Sequence, residues 1–85
     1  MAEVVIGLKV LPKDVDINLD ELEKKIKAAI NPEKIDREPI AFGLVAFHVV
    51  KFVPDSGGEM EKVEKKLREI EEVGEVEVTG ISRSL

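Results

Sequence analysis

Hydrophobic and polar positions alternate with two different periods along this chain, and the switches between them divide it into six elements. Glu3 to Leu11 reads as a strand: Val4, Ile6, Leu8 and Val10 form one unbroken apolar face, while Val5, Gly7, Lys9 and Leu11 point the other way. Pro12 ends it, and the polar Lys13-Asp14-Val15-Asp16 leads to a segment in which Leu19, Leu22, Ile26, Ala29 and Ile30 recur at helical spacing. Asn18 is a good N-cap, with Glu21 three residues on and Ile17 placed to staple onto Leu22; Asn31-Pro32 stops the helix. Ile35 to Ala41, interrupted by Pro39, reads as a short edge strand, because a proline removes one ladder donor.

Pro39 to Pro54, PIAFGLVAFHVVKFVP, is the longest apolar run and holds all three phenylalanines, Phe42, Phe47 and Phe52. Its β-branched and aromatic content predicts the central strand. From Gly43 onward, Val45, Phe47, Val49, Lys51 and Val53 share one face, and Leu44, Ala46, His48, Val50 and Phe52 the other. After the Asp55-Ser56-Gly57-Gly58 loop, Ser56 and Glu59 form a capping box. The helix that follows carries Met60, Val63, Leu67, Ile70 and Val73 on one stripe, with Gly74 expected as its left-handed C′ residue. Glu75 to Ile81 alternates again, with Val76 and Val78 facing inward, before a short tail, Ser82 to Leu85.

The order βαββαβ, with right-handed crossovers, gives an α+β fold: a ferredoxin-like sandwich with two helices on one face of a four-stranded antiparallel sheet. Its first and third strands are central, and these are the two most apolar strands here. The chain of 85 residues makes one domain, residues 1–85, with no room for a second core. A sheet covered on one side leaves Leu44, Ala46, His48, Val50 and Phe52, together with Val5, as a surface for protein contact.

Charge and composition narrow the chemistry. A net charge of −5, with 13 Lys and Arg spread among 18 acids, argues against a phosphate-backbone partner, so no direct nucleic-acid binding is expected. There is no Cys and one His, which excludes disulfides, thiolate or multi-histidine metal sites and thiol catalysis; no cofactor or metal is expected. No basic segment precedes an apolar core at the N-terminus and no apolar run reaches a membrane span, so a cytoplasmic protein with no membrane partner is expected. The chain has no Gln and only Asn18 and Asn31, with Lys and Glu abundant on the helices, which hints at heat adaptation. Gly57-Gly58 is not followed by the Lys-Ser or Lys-Thr of a phosphate loop, and His48 has no acid or nucleophile placed to work with it as a base.

Phe42 is the candidate with two readings. Spacing alone favours a core ring at a strand entrance, whereas its setting between Ala41 and Gly43 suits a turn that holds an aromatic ring outward. Here Pro39-Ile40-Ala41-Phe42-Gly43-Leu44 resembles the signature of the archaeal translation elongation factor 1-beta family and of the eukaryotic C-terminal exchange domain: Pro, aliphatic, small, Phe or Tyr, Gly, aliphatic, opening a long strand. Val10-Leu11-Pro12, Phe52-Val53-Pro54-Asp55 and the terminal Leu85 add to the likeness, which spans essentially the whole chain.

The resemblance implies a guanine-nucleotide exchange factor, not an enzyme of any covalent step, acting on the elongation factor 1-alpha GTPase that delivers aminoacyl-tRNA. It further implies partner contacts at Phe42 and Gly43, packing on the GTPase's second domain, and at Arg83, Ser84 and Leu85, approaching its magnesium and phosphates. Eukaryotic members carry a penultimate Lys that enters this site; here the position is Ser84, with Arg83 next to it as the candidate substitute. A monomer is expected, with the open sheet face as the surface for any weak self-association. The competing class is a ferredoxin-like regulatory or assembly module that binds a small ligand, since the fold alone decides no function. A hydrolase on the same fold would need a nucleophile and base, or a phosphate loop, and neither is present.

Overall fold

In the computed structural model, which describes residues 3–54 and 58–83, the elements follow the expected order: β1 Glu3–Pro12, α1 Leu19–Ile30, β2 Lys34–Pro39, β3 Val45–Pro54, α2 Glu59–Arg68 and β4 Val73–Arg83. The four strands form one sheet in the order β2-β3-β1-β4, every neighbouring pair antiparallel. This is the ferredoxin-like arrangement, with the two most apolar strands at the centre.

The alternation sorts the faces as expected. Ile6, Leu8 and Val10 of β1 and Phe47, Val49 and Val53 of β3 are buried with Leu22, Ile26 and Ile30 of α1 and Val63 and Leu67 of α2. Phe47 is 0% exposed at the middle of this layer, and its ring lies 5.6 Å from the guanidinium carbon of Arg37. Lys51 shares that face but lies near its edge, where its Nζ donates to the Asn31 carbonyl at 3.1 Å; the alkyl stem packs while the charge stays at a polar rim. Ala46 is also fully buried although it lies on the open face, a methyl small enough to be covered by its neighbours.

Local chemistry sets the ends of α1. The Asn18 side-chain oxygen accepts from the Glu21 amide at 3.1 Å, and Asn31, at φ 46°, turns left-handed so that its amide donates to the Lys27 carbonyl. Asp20 and Glu21 in the first turn and Lys27 in the last agree with the helix dipole.

At α2 the sequence reading needs correction. The helix stops at Arg68, so Val73 belongs to β4 and not to the helical stripe, and Gly74 is not its C′ residue. The chain leaves the helix through backbone bonds from the Ile70 amide to the Leu67 carbonyl and from the Val73 amide to the Ile70 carbonyl. Gly74 serves a different need: a Cβ there would stand 2.9 Å from the Lys13 Cα and 3.0 Å from the Pro12 carbonyl oxygen, so glycine permits β4 to start against the end of β1. Gly58, at φ 89°, precedes α2; the expected cap residue, Ser56, lies outside the described residues.

Two strand boundaries also move. β2 begins at Lys34 and ends at Pro39, and the run expected as one long strand breaks into a turn at Ala41–Gly43 followed by β3. In β4 the register against β1 slips between Gly7 and Leu8, leaving Thr79 as a bulged extra residue. Val76 and Val78 face the core as expected, and the bulge resets the alternation so that Ile81, not Gly80, pairs with the core residue Ile6. Gly7 makes room for it: a Cβ there would lie 3.0 Å from the Thr79 hydroxyl.

Candidate functional site

The β2–β3 connection presents one side chain to solvent. Phe42 is 93% exposed, more than any other large apolar residue described. Its backbone is left-handed, φ 64° and ψ 25°, and Gly43 follows at φ 76°; the Leu44 amide donates to the Ala41 carbonyl at 3.4 Å. Two successive positive φ values closed by that bond are the geometry of a type I′ turn, a position that favours Asn, Asp or Gly and disfavours a bulky aromatic. The Ile40 amide donates to the Leu44 carbonyl at 2.8 Å and fixes the base of the turn. The left-handed strain at Phe42 is thus not offset by any burial of its ring. The reading of Phe42 as a core ring is thereby overturned.

The geometry separates the expected contact residues into two groups. Val45 and Pro12 lie at one end of the sheet; Arg83 pairs with Val4, and Val4 with Val53, at the other. Val4 and Pro12 are eight strand steps apart, roughly 26 Å at ~3.3 Å per residue. The Phe42–Gly43 turn and the end of β4 are thus opposite poles of a body whose longest extent is 42 Å. Ser84 and Leu85 lie outside the described residues.

Beside that second pole, the C-terminal end of α1, the N-terminal end of α2 and the end of β3 enclose an open groove of about 370 Å³ whose charged lining is Lys51, Lys62, Lys66 and Glu59. Nothing in it resembles an active site. Among the described residues no group of three or more His, Asp or Glu is disposed to hold a metal ion. His48 is half-exposed on the open sheet face with its Nε2 3.0 Å from Glu38 Oε1, a cross-strand pair in which the hydrogen bond to His48 holds the Glu38 carboxyl below its ordinary value. The pair gives His48 an acid partner that the sequence reading did not expect, with Lys9 opposite it on β1.

Sequence reasoning missed one neighbour of the Phe42–Gly43 turn. Val15, in the β1–α1 loop, is 56% exposed, and its Cγ1 would lie 3.8 Å from a Cβ built on Gly43. The available signal was a lone valine in an otherwise charged loop, Lys13-Asp14-Val15-Asp16.

The family model described as the EF-1 guanine nucleotide exchange domain matches residues 5–83. Among curated relatives, proteins named Elongation factor 1-beta from Methanothermobacter thermautotrophicus, Staphylothermus marinus and Methanobrevibacter smithii are 46%, 43% and 39% identical, each alignment covering 98% of both chains. No helix among the described residues is long and apolar enough to cross a membrane. With the exchange-domain model matched over nearly the whole chain and relatives up to 46% identical along its length, this chain belongs to the EF-1 guanine nucleotide exchange domain family, the nucleotide exchange factors of translation elongation.

Proposed function

We propose that this protein grips the elongation factor 1-alpha GTPase, which delivers aminoacyl-tRNA, at two separated places and promotes replacement of its GDP by GTP. The observation that carries the reading is Phe42: 93% exposed, left-handed, and at the pole opposite the end of β4. Phe42, with Gly43 supplying the turn, is the anchor on a domain of the GTPase remote from the nucleotide. Arg83, Ser84 and Leu85 form the working end that approaches the magnesium and phosphates.

The separation has a mechanical use. A remote anchor binds the GTPase whatever its nucleotide state, and its binding energy holds the working end at high local concentration beside the phosphates. A cationic side chain brought there, with Arg83 as the candidate, competes for the charge compensation that magnesium gives the diphosphate. No covalent bond changes. GDP release is accelerated because the factor binds the nucleotide-free state better than the GDP-bound one.

The test is release of labelled GDP from the cognate GTPase with excess unlabelled nucleotide, with and without this protein. Acceleration that saturates with protein concentration supports the reading. An unchanged release rate at saturating protein overturns it and favours a small-ligand regulatory module on the same fold.

A further inference from the structure

The pole that carries Phe42 holds a second exposed apolar side chain, and the two are built by different loops. Val15 lies at the apex of a tight turn in which the Ile17 amide donates to the Asp14 carbonyl at 3.4 Å and the Asp16 amide to the Asp14 side-chain oxygen at 3.3 Å. Those bonds tie the residues on either side of Val15 and leave its methyls outward, 56% exposed. Gly43 lies beside it: a Cβ on it would meet the Val15 Cγ1 at 3.8 Å, so the Val15 methyls lie against the turn that carries Phe42.

A β-branched apolar residue contributes nothing to such a turn, which Asn, Asp, Ser or Gly would close as well. The four exposed large hydrophobics of the described structure are Val15, Phe42, Phe52 and Ile81, and the first two stand on adjoining turns. Asp14 and Asp16 flank Val15, which disfavours an anionic surface, a lipid headgroup layer or a nucleic acid, as the partner of those turns.

We infer that Val15 is a second docking anchor: it packs on the GTPase beside Phe42 and fixes the rotation of the factor about that ring. This rests on the exchange-factor reading above and extends it, since a single ring on a turn leaves one rotational freedom unspecified, and a second contact from an independent loop removes it. Correct rotation is what aims the β4 end, roughly 26 Å away, at the phosphates.

The experiment compares the unmodified protein with Val15→Ala, Val15→Asp, Val15→Leu and Phe42→Ala in the GDP-release assay over a range of GTPase concentrations. Removing the buried methyls of a valine from a contact corresponds to a loss of about tenfold, so Val15→Ala is expected to raise KM by about fivefold to tenfold. Val15→Asp should raise it further, while Val15→Leu retains most of the contact. Thermal melts of all four should match the parent, because neither side chain is in the core. A KM raised by Phe42→Ala but unchanged by Val15→Asp overturns the second anchor and leaves the exchange reading standing. A KM unchanged by both overturns the anchor pole altogether, and with it the site on which that reading was built. A Val15→Asp effect explained by a lowered melting temperature also overturns the proposal, since it would make Val15 a structural residue.

Discussion

Replacing Phe42 with asparagine separates function from folding more sharply than replacing it with alanine. In the structure the ring is 93% exposed and the backbone sits at φ 64°, ψ 25°. A side chain in the left-handed region costs roughly 1 to 2 kcal/mol, and asparagine is among the few non-glycine residues that accept it. Asn-Gly is also the favoured pair for a two-residue type I′ turn, and Gly43 is already in place. Phe42→Asn therefore removes no buried contact and relieves strain. The expected stabilisation is about 1 kcal/mol, which for a domain of this size raises the melting temperature by about 4 to 8 °C.

The same change deletes the proposed aromatic anchor, and an interface hot spot of this kind is worth about 2 kcal/mol or more, roughly a thirtyfold weaker complex. The two assays are a thermal melt and titration of the GDP-release rate. The variant should be at least as stable as its parent and a much poorer exchange factor. A melting temperature lowered by several degrees would return Phe42 to the core and refute the argument. Undiminished exchange would refute it equally, because strain retained without a use has no explanation in this structure.

Three further expectations follow from the packing. Phe47→Ala empties the centre of the helix-covered face, where the ring is fully buried, and should cost about 3 to 5 kcal/mol; a melt close to the parent's would contradict the register. Gly74→Ala places a methyl against the backbone of Pro12 and Lys13, which must move, so a loss of about 1 to 3 kcal/mol is expected by denaturant titration. Arg37 donates to Asp20 at 2.7 Å and to Glu23 at 3.1 Å. The hydrogen bond from Arg37 lowers the Asp20 carboxyl, and bonds from Lys27 first and Arg37 second lower that of Glu23. Depressed carboxylates stabilise the fold above their ordinary values and lose that contribution as pH falls through and below them, 3.8 for Asp20 and 4.5 for Glu23. Arg37→Gln should thus flatten the acid side of the melting temperature against pH; an unchanged profile would show that the exposed pairs add nothing.

What the sequence made legible, and what it did not, divides along the range of the interactions. Alternation in β1 and β3 named the core faces correctly because side-chain direction in a strand is a local property. The Asn18 cap and the Asn31 stop of α1 were legible for the same reason. Gly74 misled because glycine after a helical stripe satisfies a local rule, while its actual reason is the backbone of Lys13, sixty-one residues earlier in the chain. The bulge at Thr79 is set by pairing with β1 and has no local signature.

Phe42 was legible only in part. Spacing places an apolar ring at the opening of an apolar run, and that pattern describes a core residue equally well. The left-handed backbone and the outward ring emerge once β2 and β3 pair and the intervening residues must close a tight turn. Val15 was not recognised at all, because what distinguishes it from any loop valine is its contact with a turn twenty-eight positions further along. Arg83 was placed by family resemblance alone; pairing with Val4 adds that it lies at the far pole from Phe42.

The central claim is that this protein works by binding one nucleotide state of its GTPase better than another. The direct measurement is its affinity for the cognate elongation GTPase by calorimetry, once with the GTPase stripped of nucleotide and once saturated with GDP. Linkage requires the ratio of those two affinities to equal the factor by which this protein weakens GDP binding, measured separately. Binding to the empty GTPase should be tighter by about tenfold or more, with the two ratios in agreement. Equal affinity for both states would contradict it, since a factor with no preference between them can displace no nucleotide.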